Sequence, residues 1–195
     1  MSFGGYDAFD DPYCYKGTET LKNKLRLRDA ATLESFELEM TTLRAKEPLP
    51  AGKFDPAHYR RVHRHLFQDV YSWAGKYRTV WTSKGGNSFC YPANIASSMD
   101  KVFALLARSG ALTTDRREQF TSGIAGFLGE LNAIHPFREE NGRSQLSFIA
   151  LIGARTGFHF DFARIERDWF LPAMIASFAG DLEPLTRELS KLLRS

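Results

Sequence analysis

Apolar residues recur along most of this chain at spacings near three and four, the period of a helix with one face turned to a core. From Glu19 to Arg44, Leu21, Leu25, Leu33, Phe36, Met40 and Leu43 form such a stripe, which predicts a core-facing helix. Lys46 to Gly52, with Pro48 and Pro50, breaks it. A second helix is expected from Pro56 to Ala74, capped by Asp55, with Pro56 in its first turn and Tyr59, Val62, Leu66, Val70 and Trp73 facing inward. Between Gly75 and Pro92 the period changes to two, in Thr79 to Ser83 and Ser88 to Tyr91, on either side of Lys84-Gly-Gly-Asn. The pattern there is a β-hairpin set in a helical protein. Helices are expected again at 95–108 and 116–134, the latter with Phe120, Ile124, Phe127, Leu131 and Ile134 on one face. Residues 142–153 are apolar almost all round, which predicts a central helix buried on most sides, and two more helices follow near 163–178 and 181–193.

Composition narrows the class. A chain of 195 residues, 43% hydrophobic and 13% aromatic, can bury one sizeable core and is short for two, so residues 18–195 are expected to form one domain preceded by an extended arm at 1–17. Its 26 basic and 23 acidic residues leave +3, too weak an imbalance to indicate nucleic acid or an anionic membrane as partner. Cys14 and Cys90 form neither a CxxC pair nor a metal-ligand cluster, and the start of the chain has no basic region followed by an apolar run. Two reduced thiols and a cytoplasmic location are the expectation. His58, His63, His65 and His159 read as surface or partly buried polar residues, because no carboxylate cluster accompanies them. Phe120, Phe127, Phe148, Phe158, Phe160, Trp169 and Phe170 read as core, and Arg116-Arg117-Glu118 as a solvated helix start.

The chemistry concentrates in His135-Pro-Phe-Arg-Glu-Glu-Asn-Gly-Arg143, between two helical stretches. Pro136 ends one helix and Asn141-Gly142 makes a tight turn where the next begins. Unpaired N–H groups at a helix start form an anion site, and Arg143 adds a fork of donors suited to phosphate. Glu139 is placed to hold Mg²⁺, which takes one or two carboxylates together with substrate phosphates. His135 stands at the mouth as a general base, since an imidazole titrates near working pH.

This segment resembles the signature of the Fic family, His-Pro-Phe-x-(Asp/Glu)-Gly-Asn-Gly-Arg-x-x-Arg, in His135, Pro136, Phe137, Glu139, Asn141, Gly142 and Arg143. The resemblance extends over His65 to Val80, similar to the helix leading into that family's flap, and over Gly157-Phe158-His159 after the motif helix. It implies an all-α Fic fold, a helical bundle with a small β-hairpin flap at about 75–92 and the motif at 135–146. It also implies transfer of AMP from Mg²⁺-ATP to a Tyr, Thr or Ser hydroxyl of a target protein, with release of pyrophosphate. In that reading His135 accepts the hydroxyl proton, Glu139 ligates Mg²⁺, Asn141, Gly142 and Arg143 cradle the phosphates with Glu140 beside them, and Phe137 anchors the loop. The flap around Lys84 and Phe89 would pair main chain to main chain with an extended target segment.

Two positions depart from the signature: Glu140 replaces a glycine and Leu146 a second arginine. Both changes make the phosphate end less positive; a carboxylate about 5 Å from a phosphate charge costs roughly 3 kcal/mol at an effective dielectric near 20. The alternative reading is therefore an impaired Fic-fold module that binds a protein partner while Glu140 and Leu146 weaken nucleotide binding. Regulation changes as well, because the family's restraining glutamate, in (Ser/Thr)-x-x-x-Glu-(Gly/Asn), pairs with that second arginine. The nearest internal match, Ser35 to Glu39, is followed by Met40. A separate small antitoxin-like inhibitor, as in short toxin-like bacterial members, is the expected further partner.

Overall fold

The computed structural model describes residues 11–84 and 86–194, so most of the expected N-terminal arm and Gly85 of the expected hairpin turn lie outside the described residues. Among those described, seven α-helices run as α1 (Ala30–Ala45), α2 (Pro56–Phe67), α3 (Ile95–Arg108), α4 (Arg117–Ile134), α5 (Asn141–Thr156), α6 (Arg167–Phe178) and α7 (Glu183–Leu192). Strands β1 (Ser83–Lys84) and β2 (Asn87–Ser88) pair antiparallel, Ser83 opposite Ser88 and Lys84 opposite Asn87. The architecture is all-α with one small hairpin. No described helix is long and apolar enough to cross a membrane.

Local chemistry explains where several helices begin. The Asp29 carboxylate accepts from the Thr32 N–H at 2.8 Å and starts α1, while Asp55 accepts from the His58 N–H at 2.7 Å, with Pro56 in the first turn of α2. The expected helix over 19–44 therefore starts eleven residues later than its apolar spacing suggests. Asn23 is the reason: its side chain donates to the carbonyls of Leu21 and Leu27 and accepts from the Leu27 N–H, closing a loop in place of a helical turn. Leu25 and Leu43, read as part of the core stripe, are 56% and 49% exposed. The buried face of α1 is Leu33, Glu37 and Thr41, an i, i+4, i+8 row that ends in polar groups.

The expected helix over 56–74 stops at Phe67, yet Val70 and Trp73 remain buried in the turns that follow. The hairpin is shorter than the alternation at 79–83 and 88–91 suggests, because the carbonyls of Val80 and Cys90 are taken by the Arg78 side chain. α4, not the apolar α5, is the central helix, packing against α3, α5, α6 and α7. α5 buries one stripe through Ser144, Gln145, Phe148, Ile149 and Ile152 and leaves Leu146 and Leu151 partly exposed. Trp169, expected in the core, is 64% exposed on α6. Arg117 is no solvated helix start either: its guanidinium donates to the carbonyls of Ser190 and Leu193 and fastens the C-terminal segment to α4.

Candidate active site

The segment from His135 to Arg143 links α4 to α5, and it is held from below by aromatic packing. Phe137 is fully buried, stacked on Tyr59 with centroids 5.3 Å apart and against the ring of His63 at 3.8 Å. Asn141 closes the loop on itself: its Oδ1 accepts from the Phe137 N–H at 3.0 Å and its Nδ2 donates to the Phe137 carbonyl at 2.9 Å. With that side chain so committed, Asn141 has only its main-chain N–H left to give. The first turn of α5 presents the N–H groups of Asn141, Gly142 and Arg143, which have no acceptor in the helix's own ladder. Nothing lies within 4 Å of where a Cβ on Gly142 would stand, so the front of this turn is open to a ligand.

His63 and His58 are buried at 0% and 1% exposure, a correction to their reading as surface or partly buried groups. The Gly75 N–H donates to His63 Nδ1 at 2.9 Å, which leaves the proton on Nε2, facing the Glu139 carbonyl at 3.3 Å. Gly75 has φ +76°, and a Cβ there would meet the Arg60 carbonyl at 2.7 Å, so only glycine brings this N–H to the imidazole. Burial lowers the His63 pKa to about 3, so the ring is a neutral strut under the motif loop.

His135 ends α4 in the left-handed region, φ 48° and ψ 62°. Its imidazole stacks on Phe89, centroids 4.0 Å apart and planes within 10°. Its Nδ1 is buried, which leaves Nε2 as the nitrogen a substrate hydroxyl can reach. Burial first, then the positive charges of Arg78 and Lys84, lower the pKa of His135 to about 3, with the backbone of Asn132 opposing them. The ring is therefore neutral at neutral pH. Phe89 is itself buried beneath this ring and is not displayed for docking, whereas Lys84 is exposed on β1.

The start of α5 is acidic as well as basic. Glu140 occupies a left-handed position, φ 65° and ψ 24°, where an L side chain costs about 1–2 kcal/mol relative to glycine. Its carboxylate lies 3.3 Å from Arg143 Nε, and Arg143 Nη1 lies 3.5 Å from Glu37 Oε1 and donates to Thr41 Oγ1 at 3.2 Å. Glu37 in turn accepts from the Tyr71 hydroxyl. Burial, and then the adjoining Glu37 carboxyl, hold Glu140 above the usual carboxylate range, against the opposite pull of Arg143. The two acids thus sit side by side next to Arg143. Ser35 and Glu39, the internal match to a restraining glutamate, are exposed on another face of α1. Sequence reasoning missed Glu37; its signal was the i, i+4, i+8 row of Leu33, Glu37 and Thr41.

Arg138 turns away from the phosphate end, its guanidinium 2.7 Å from the Asp11 carboxylate, with both side chains buried. Glu139 has its side chain 51% exposed, 3.5 Å from Arg138 Nη1. Among the described residues no group of three or more acids, histidines and cysteines could enclose a metal ion. A lone open carboxylate beside an anion-binding helix start matches what Mg²⁺ needs, since that ion fills most of its shell with phosphate oxygens and water.

Residues 53–152 match the profile of the Fic/DOC family. The chain is 47% identical over 189 residues to a protein of Sinorhizobium fredii named probable protein adenylyltransferase y4lH, with 96% of this chain and 98% of that one covered. It is 36% identical over 179 residues to the protein adenylyltransferase VbhT of Bartonella schoenbuchensis, covering 90% of this chain and 37% of that longer protein. Among solved structures it superposes with TM-score 0.84 on the N-terminal Fic domain of a cell filamentation protein of Bartonella quintana with bound ADP, at 28% identity over 93% of this chain and 94% of that one.

Proposed function

This chain belongs to the Fic/DOC family, and from that premise we propose that it is a protein adenylyltransferase in which His135 takes the proton from a target hydroxyl. The hydroxyl oxygen attacks the α-phosphorus of ATP, the bond from that phosphorus to the bridging oxygen breaks, and pyrophosphate leaves while the proton stays on Nε2. The observation that carries this reading is the placement of a neutral, stacked imidazole at the C-terminus of α4, one short loop before the open N-terminus of α5. Phosphates bound at that helix start would lie next to the base, and such orientation is the largest part of catalysis in this kind of transfer.

Within that frame the N–H groups of Asn141, Gly142 and Arg143 hold phosphate oxygens, and Glu139 would hold Mg²⁺, which neutralises phosphate charge when bound. Lys84, exposed at the flap, is the residue offered to the target's main chain. A small antitoxin-like inhibitor belongs to the same proposal, acting on a phosphate end that Glu37 and Glu140 already crowd. The adenylyltransferase names and ADP-bound structure among the relatives do not favour a module that merely binds protein.

The test is incubation of the purified chain with Mg²⁺ and α-labelled ATP in bacterial lysate, beside His135→Ala. Label on a protein band that disappears with His135→Ala is the expected result. Label that persists in His135→Ala removes the histidine from the mechanism, and no label from either protein removes the adenylyl-transfer reading.

A further inference from the structure

One side chain joins the flap to the end of α4. Arg78 lies in the segment between α2 and β1 and is 2% exposed, the largest of the fully buried side chains. Its backbone N–H donates to the Pro136 carbonyl at 2.9 Å. Its Nε donates to the His135 carbonyl at 2.8 Å and its Nη2 to the Ile134 carbonyl at 3.2 Å. On the flap side, Nη1 donates to the Val80 carbonyl at 2.7 Å and Nη2 also to that of Cys90. The Cys90 N–H closes the same seam by donating to the Ala133 carbonyl at 3.2 Å. A single guanidinium therefore gathers two carbonyls from the last turn of α4 and one from each side of the hairpin.

That arrangement answers two physical needs. The last carbonyls of a helix have no partner within it, and here the chain must also enter the left-handed region at His135, a conformation a side-chain-bearing residue avoids. A planar fork with five fixed donors can satisfy both flanks at once, which the point charge of a lysine cannot. Orientation follows, because the Phe89 ring that backs the His135 imidazole is carried by the hairpin side of this seam. If the seam slips, the ring and its backing part.

We propose that Arg78 is a positioning residue for the transfer reaction, clamping the flap to the C-terminus of α4 so that His135 and Phe89 are held as one unit facing the incoming hydroxyl. The proposal rests on His135 being the base. The charged groups acting on that imidazole are Arg78 and Lys84, both on the flap side; the backbone of Asn132 on α4 opposes them. The negative end of the α4 dipole, at which His135 sits, likewise favours the protonated ring. Removing the guanidinium takes away one of the two cations and lets water reach the ring, and both changes raise the proton affinity of His135.

The test uses the full chain labelled with ¹⁵N-histidine, with the His135 resonance assigned by its loss in His135→Asn, in the wild type, Arg78→Met and Arg78→Lys. Folding is checked by circular dichroism, ATP affinity by calorimetry, and transfer by α-labelled ATP in lysate. The expected result for folded Arg78→Met is a His135 titration at least about one pH unit above the wild type. Transfer should fall at least tenfold while the ATP Kd stays within about threefold. Arg78→Lys, which keeps the charge and loses the fork, should restore most of the titration but not the rate. Folded Arg78→Met with an unmoved titration, or a loss of transfer that only follows a weakened ATP Kd, overturns the clamp. If Arg78→Met does not fold, Arg78→Lys decides: transfer cut at least tenfold supports the proposal and transfer within twofold of wild type overturns it. If the wild type transfers no label at all, the adenylyl-transfer reading fails, and the imidazole titration still judges the clamp by itself.

Discussion

The imidazole of His135 lies flat on the ring of Phe89, centroids 4.0 Å apart, and one face of the imidazole is thereby closed to water. Phe89→Ala opens that face. It should cost about 3–5 kcal/mol of stability from lost stacking and burial. AMP transfer should fall at least tenfold with the ATP Kd unchanged, and Phe89→Leu should recover part of the loss by restoring the cover without the stack. Equal activity in Phe89→Ala and wild type would show that the covered face is irrelevant to the reaction.

Glu140→Gly removes a side chain from a left-handed position and a carboxylate from beside Arg143. Relief of the backbone should raise the melting temperature, and removing the side chain frees Arg143 Nε for a phosphate oxygen, so ATP binding should tighten about tenfold. Glu37→Gln keeps the hydrogen bonds of α1 while deleting a charge, and should tighten ATP binding by a smaller factor. Calorimetric titration of both variants with ATP measures this; unchanged affinity in Glu140→Gly would mean that the carboxylate does not face the phosphates.

Asp11→Ala removes the nearer carboxylate partner, at 2.7 Å, of the buried Arg138 guanidinium. Breaking one side of such a pair costs about 3–5 kcal/mol. Asp11→Ala combined with Arg138→Leu should recover a good part of that, since an apolar pair needs no compensation at a site with side-chain exposures of 7% and 4%. Scanning calorimetry of the two proteins distinguishes loss of a charge partner from general disruption of the loop.

Acid should weaken the fold before its ordinary carboxylates titrate. His63 and His135 are held neutral down to about pH 3, while in the unfolded chain they take up protons near pH 6.5. The unfolded state therefore binds more protons in this window, and stability is lost as pH falls below about 6.5, by about 1.4 kcal/mol per pH unit for each histidine. Glu140, raised by burial, acts in the opposite sense: its protonated form is favoured in the folded state, so its contribution is lost as pH rises. Denaturant unfolding between pH 4.5 and 6.5 in the Glu140→Gly background should show the slope of two histidines, and adding His63→Gln should halve it. An unaltered slope would place the acid sensitivity elsewhere.

Much of this could be read from sequence where a single local rule governs. α3 matches the expected 95–108 because its apolar stripe through Ile95, Met99, Val102, Phe103 and Leu106 is uninterrupted, and the start of α2 follows from Asp55 and Pro56. The motif placed His135 and the open turn at Gly142 together. Illegible were the residues whose roles depend on long-range contacts. Arg78 is an ordinary basic residue until the fold brings α4 against it, and His63 shares the stripe of Tyr59 and Leu66 with nothing to show that it supports a loop 76 residues away. Glu37 was hidden because the apolar spacing pointed to Leu25 and Leu43, while the truly buried row of α1 ends in a carboxylate and a hydroxyl.

The pair of Asp11 and Arg138 also dictates an order of events at the ribosome. The two residues are 127 positions apart, and at about 5–20 residues per second the guanidinium is made roughly 6–25 s after its carboxylate. During that interval the nascent chain carries the acid without the base that lets it be buried. The loop between α4 and α5 can lock only after the segment that contains it has been translated and has met the very start of the described chain. The loop after α4 is thus fastened only by joining parts of the chain made far apart in time.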